Sequence, residues 1–179
     1  TNHFVPAFLL DELLGDETAR ITRAQDDFTA VTIQRPSLQA DRRAINIITT
    51  APHDETAFTQ GLVYHNGLFY ESTGLYGQSS LREVNPETGE VLRQVDLPRD
   101  YFAEGLALVD DRLIQLTWRE NVAFVYDINT FEQIDAYTYD GEGWGLCYDS
   151  EFLYMSDGSD VITIRNPQTF EVISSFPVT

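Results

Sequence analysis

Two markers recur through this chain with nearly the same period, and that repeat constrains the fold more than any other feature. Gly-Leu stands at Gly61-Leu62, Gly105-Leu106 and Gly145-Leu146, 44 and 40 residues apart. A second marker, Asn85-Pro86-Glu87-Thr88-Gly89-Glu90, returns as Asp127-Ile128-Asn129-Thr130-Phe131-Glu132 and as Asn166-Pro167-Gln168-Thr169-Phe170-Glu171. Its threonines are 42 and 39 residues apart. A repeated unit of about 40–45 residues holding four strand-like runs is a β-propeller blade. The runs are Gly61–Tyr64, Leu68–Thr73, Ser80–Val84 and Val91–Leu97 in the first unit. The second has Gly105–Val109, Arg112–Trp118, Ala123–Asp127 and Gln133–Tyr139, and the third Gly145–Tyr148, Phe152–Ser156, Val161–Arg165 and Val172–Val178. The Asn-Pro-x-Thr marker falls between third and fourth runs, where a hairpin needs turn residues.

The expected class is therefore all-β, with about three blades over residues 58–102, 103–143 and 144–179 of a partial propeller spanning 44–179. Propellers close with about 4–8 blades, so the remaining blades are expected beyond Thr179, with residues 44–50 as a strand that latches the ring. Residues 1–43 read differently. Phe8, Leu9, Leu10, Leu13 and Leu14 lie at helical spacing, with Asp11, Glu12, Asp16 and Glu17 on the other face, which predicts a short amphipathic helix in an N-terminal extension.

The formal net charge is −18, from 29 acidic residues and 11 basic ones, all arginine. Such a surface repels nucleic-acid phosphate and anionic membranes, so neither is an expected partner. No run of residues reaches membrane-spanning length, and no signal peptide is legible. Cys147 is the single cysteine, which excludes an internal disulfide framework and leaves the compartment open; inside Leu146-Cys147-Tyr148 it reads as a small buried hydrophobe. His3, His53 and His65 lack metal-ligand spacing, and His53-Asp54 suits a turn. Asp157-Gly158-Ser159-Asp160 lacks the remaining ligands of a calcium loop and also suits a hairpin turn. No cofactor is expected; a structural calcium in the channel stays open, with no motif to support it.

Aligning the units puts Gln60, Glu104 and Trp144 at one repeated position, directly before Gly-Leu at the head of the innermost strand. Innermost strands line a propeller's channel, so three different side chains there mark either a binding site or ordinary divergence between blades. Aligned on Leu68, Leu113 and Leu153, the second strands end in Glu71-Ser72-Thr73, Leu116-Thr117-Trp118 and Ser156-Asp157-Gly158. That brings Trp118 and Trp144, the only tryptophans, toward the same mouth, where they would wall a carboxylate, raise its pKa and bind a cation.

Specific strings then carry a resemblance: Pro52-His53-Asp54, Ala57-Phe58-Thr59-Gln60-Gly61-Leu62, the run Glu71–Ser80, Tyr101-Phe102-Ala103-Glu104-Gly105-Leu106, Gln115–Trp118, Phe124–Asp127, Gly143–Leu146 and Ser156–Gly158. From about Ile47 to Thr179 the chain closely resembles the plant and bacterial glutaminyl-peptide cyclotransferases. The resemblance implies a five-bladed propeller and an acyltransferase that converts the N-terminal glutamine of peptides and proteins to pyroglutamate, releasing ammonia, without a catalytic metal. It implies Glu104 as the catalytic acid/base, substrate contacts from Phe58, Gln60, Trp118 and Trp144, and Glu71 close to that set. The expected setting is an extracellular or periplasmic monomer. The family's further pocket motifs, an Asn-Glu-Leu-Glu run and another tryptophan motif, are not in this chain. The rival readings are a non-catalytic propeller that binds a peptide or protein at its channel mouth, and a metal-dependent propeller hydrolase, which would need an Asp/Asn/Glu/His cluster that the sequence offers only as scattered members.

Overall fold

The computed structural model describes residues 50–178; the helix expected within 1–43 and all but the last residue of the latch strand 44–50 lie outside them. Twelve strands form three four-stranded antiparallel sheets, each in simple meander order. Blade one holds β1 (Thr59–His65), β2 (Leu68–Thr73), β3 (Ser80–Val84) and β4 (Val91–Asp96). Blade two holds β5 (Ala103–Val109), β6 (Arg112–Thr117), β7 (Val122–Asp127) and β8 (Gln133–Thr138). Blade three holds β9 (Leu146–Tyr148), β10 (Leu153–Ser156), β11 (Val161–Arg165) and β12 (Val172–Pro177). All twelve expected strands are present. The chain is all-β among the described residues.

Pairing corrects one alignment. Leu62, Leu106 and Leu146 face Glu71, Gln115 and Met155 respectively. Leu68 therefore corresponds to Arg112 and Phe152, one position earlier than the shared leucine suggests, and the counterpart of Trp118 in blade one is Gly74. The first hairpin shows how tight these units are: Asn66 and Gly67 both take positive φ, 48° and 83°, as a two-residue turn joining twisted strands requires.

The Asn-Pro-x-Thr marker is a blade-to-blade connector as well as a turn. Its first residue accepts two backbone N–H groups through its side-chain oxygen: Asn85 from Glu87 and Thr88 at 2.8 and 3.2 Å, Asp127 from Asn129 and Thr130 at 2.8 Å each, Asn166 from Gln168 and Thr169 at 2.8 and 3.0 Å. The fifth residue then swings into the left-handed region, at φ 71°, 62° and 63° for Gly89, Phe131 and Phe170. Left-handed backbone disfavours a side chain, yet both phenylalanines are buried. Phe131 lies beneath Arg93 of blade one, 4.2 Å from the guanidinium carbon to the ring centroid, and Phe170 stacks on Tyr137 of blade two at 5.3 Å. Docking against the preceding blade offsets the local strain.

The cores lie between blades. Tyr70, Leu81, Leu106, Leu113, Phe124 and Tyr126 fill the space between blades one and two; Val109, Ile114, Leu116, Val125, Leu153 and Met155 fill that between blades two and three. Blade two is thus covered on both faces, and β6 is buried at every position after Arg112. Each leucine fully buried here contributes about 1.5–3 kcal/mol. A buried polar residue also crosses the first interface: Gln115 donates to Ser72 Oγ at 2.8 Å and to the Ser80 carbonyl at 3.1 Å. The outer strand β12 is exposed along its length.

At the axis β1 packs on β5 and β5 on β9, and this explains the first two glycines of the Gly-Leu repeat. A Cβ on Gly61 would lie 2.6 Å from the Leu106 nitrogen, and one on Gly105 would lie 2.6 Å from both the Leu146 nitrogen and the Trp144 oxygen. Backbones this close admit only glycine.

Candidate active site

All three innermost strands run in the same sense, so Gln60, Glu104 and Trp144 emerge at one end of the axis. The ladder is interrupted at the first two. Pairing of β1 with β2 shifts between Thr59 and Gly61, and pairing of β5 with β6 shifts between Ala103 and Leu106. An extra residue in a strand leaves the ladder and re-aims its side chain. Those extra positions hold Gln60 and Glu104, and Gln60 Nε2 donates to Glu104 Oε1 at 2.9 Å. Trp144 is tied to the same place through its carbonyl, which accepts from the Gly105 N–H at 2.8 Å.

Glu104 is held in an environment that favours its neutral form. Burial is the main cause and pushes its pKa up from 4.5 to about 8; the Gln60 hydrogen bond opposes that shift, while the charges of Glu142 and Glu120 add to it. Folded Glu104 therefore holds its proton more tightly than the unfolded chain does. Its stabilising contribution is full below about 4.5 and is lost as the pH rises through about 8. Denaturant titrations are expected to show the parent losing stability over that window relative to Glu104→Gln, whose side chain does not ionise. Parallel curves would contradict the raised pKa.

Aromatic rings line one side of the pair. Phe102, two residues before Glu104, meets Phe58, Tyr76 and Trp118 edge-on at centroid distances of 6.2, 5.4 and 5.7 Å. Phe102 lies over Gly74, and Trp144 lies over Gly158, where an added Cβ would come 2.6 Å from the indole. Phe58 and Trp144 remain 50% and 42% exposed, so they present ring surface to a ligand. Glu142 joins the two tryptophans: its Oε2 accepts from Trp118 Nε1 at 2.7 Å and from Trp144 Nε1 at 3.0 Å. Glu120 accepts from the Tyr76 hydroxyl at 2.8 Å. Phe102, Tyr76, Glu120 and Glu142 were not singled out from sequence. For Glu142 a signal existed, because it occupies the repeat position of Phe58 and Phe102 and so replaces an aromatic with a carboxylate.

Glu71 is not brought into this group. It is 2% exposed and lies on the face of blade one turned away from blade two, opposite to Ser72, which bonds Gln115. Its carboxylate takes the His53 ring nitrogen at 2.8 Å and the Thr59 hydroxyl, beside a cleft of about 220 Å³ lined by Pro52, Phe69, Val84 and Pro86. A wider cleft of about 620 Å³ separates the outer strands of blades two and three. Neither contains Glu104. Cys147 is half-buried rather than fully so, and burial raises its thiol to about 11. Asp157 caps a turn, accepting the Ser159 N–H at 3.0 Å with Gly158 at φ 85°. Among the described residues no three His, Cys, Asp or Glu side chains are grouped to hold a metal ion, and no helix is long and apolar enough to cross a membrane.

A family model described as glutamine cyclotransferase matches residues 21–179, reaching into the segment that the sequence set apart as an extension. The chain is 41% identical over 130 residues to a glutaminyl-peptide cyclotransferase of Arabidopsis thaliana, covering 72% of this chain and 41% of that protein. It superposes on the crystal structure of Myxococcus xanthus glutaminyl cyclase with a TM-score of 0.69 at 40% identity, covering 75% of this chain and 56% of that one. The Neurospora crassa Pan2 WD40 domain shares the fold at 10% identity, with a TM-score of 0.57 over 66% of this chain and 36% of its own. The chain thus spans about half the length of the two relatives it matches in sequence.

Proposed function

The chain belongs to the glutamine cyclotransferase family, and from that premise we propose that the protein cyclises the N-terminal glutamine of peptides to pyroglutamate, with Glu104 as the acid/base. The observation that carries this reading is the Gln60–Glu104 pair, raised out of the ladder at the channel mouth, with the carboxyl poised at about 8.

The substrate's α-nitrogen attacks its own γ-carboxamide carbon. Nucleophile and electrophile sit in one molecule, so approach is largely built in. What the protein must supply is proton transfer and charge stabilisation. An α-ammonium ionises near ~7.7–8.0, so a carboxylate near 8 is matched to it. Glu104 takes the ammonium proton, which frees the nitrogen lone pair to attack; it passes that proton to the carboxamide nitrogen and takes the second proton of the attacking nitrogen as the carbonyl re-forms and ammonia leaves. Gln60 spends one N–H on Glu104; its second is free to reach the oxygen on which negative charge builds. Phe58, Trp118 and Trp144 hold the cationic end over their ring faces. The scheme uses no covalent intermediate and no metal, so turnover is expected to survive a strong chelator.

The reactive state holds one proton between Glu104 and the α-amine. The value of kcat/KM is therefore expected to peak near pH 8 and to fall on both sides, as the second proton binds or the last one leaves. Ammonia release from a short glutaminyl peptide, followed by a coupled assay, measures it. No release at any pH, or a maximum near pH 5, would sink the assignment.

A further inference from the structure

We infer that Glu142 is a positioning residue of this site, fixing both tryptophans beside the Gln60–Glu104 pair and setting the charge that faces Glu104. The use made of the pocket rests on the cyclisation reading, but the clamp itself is geometric. An indole has a single donor, and both indoles of the chain give theirs to one oxygen of Glu142, at 2.7 and 3.0 Å. The other oxygen takes Arg119 Nε at 2.9 Å, and that guanidinium lies 3.7 Å over the Trp118 ring. Trp118 is held at its edge by Glu142, on one face by Arg119, and against Phe102. Trp144 is held at its edge by the same carboxylate and at its base by Gly158. Trp118 follows β6 in blade two and Trp144 opens blade three, so Glu142, in the connection between β8 and β9, holds a site that spans two blades. A lone exposed ion pair does little; three charge-assisted donors converging on one carboxylate form a fixed frame.

Glu142 also acts at a distance. The charged groups that face Glu104 are Glu142 and Glu120, with Gln60 as its hydrogen-bond donor. Arg119 is engaged by Glu142, and Glu120 by the Tyr76 hydroxyl. Of these, Glu142 is the stronger source of repulsion toward the Glu104 carboxylate. A negative mouth also suits a substrate whose recognised group is an ammonium.

Two variants separate clamp from charge. Glu142→Gln keeps an oxygen that accepts both indoles but removes the charge. Glu142→Asp keeps the charge but is too short to reach both indoles. Carboxyl carbon NMR, with Glu104→Gln to assign the signal, reads the Glu104 titration; emission reads the only two tryptophans in the chain. In Glu142→Gln the Glu104 midpoint is expected to move down from about 8, with emission close to the parent's. In Glu142→Asp the midpoint is expected to hold while emission shifts to the red. A midpoint unmoved by the glutamine, or emission unmoved by the aspartate, overturns the inference. Both side chains are small changes at a half-exposed position, and circular dichroism confirms that the strands persist. Neither readout uses turnover, so an inactive protein with these titrations would count against the cyclisation reading alone.

Discussion

Replacing Glu104 by glutamine is expected to lower ammonia release from a glutaminyl peptide by about 10²–10⁴-fold, the usual worth of a positioned acid/base. The amide keeps the length of the side chain and an oxygen that the Gln60 N–H, now 2.9 Å from the carboxylate, can still meet. It cannot carry the α-ammonium proton. Binding should survive, so the loss is expected in kcat with KM little changed. Substrate protection of tryptophan emission would verify that the variant still holds the peptide. A variant that turns over at the parent rate removes Glu104 from the chemistry and leaves a binding pocket.

Replacing Gly105 by alanine is expected to damage fold and site together. The added Cβ would lie 2.6 Å from the Leu146 nitrogen and the Trp144 oxygen, both backbone atoms that no rotamer change can move. Overpacking of this kind costs about 1–3 kcal/mol, and in a chain of this size each kcal/mol lowers Tm by about 2–4 °C. Relief means spreading β9 from β5, which lengthens the 2.8 Å bond from the Gly105 N–H to the Trp144 carbonyl and carries Trp144 away from Glu104. Thermal melts and peptide turnover should therefore fall together. An unchanged melting temperature would show that the inner strands separate without cost.

The strands were legible because β-rich runs recur at the blade period, and because the turns between them need Asn, Gly and Pro at fixed places. Gln60, Glu104 and Trp144 were legible through the repeat. The alignment of the second strands failed at Leu68, since a leucine recurring at the wrong offset looks like a match until pairing shows Glu71 opposite Leu62. Glu71, which the resemblance set close to the pocket, is turned by the pleat to the face opposite Ser72. Glu142, Glu120 and Tyr76 were hidden for another reason. Their partners are 24, 18 and 44 residues away in Trp118, Phe102 and Glu120; the repeat gives each of them a position, but it does not say which loop side chains meet across the mouth.

The bulges at Gln60 and Glu104 have a consequence for how such a protein changes over generations. A residue that forms no rung of the ladder can be exchanged without unpicking the sheet beneath it. The glycine that follows it, wedged against the next backbone, cannot. Blades one and two thus each offer one position open to variation beside one that is closed, and the open positions converge on a single mouth. A frame of this kind can drift toward new ligands one blade at a time while its stability is kept elsewhere.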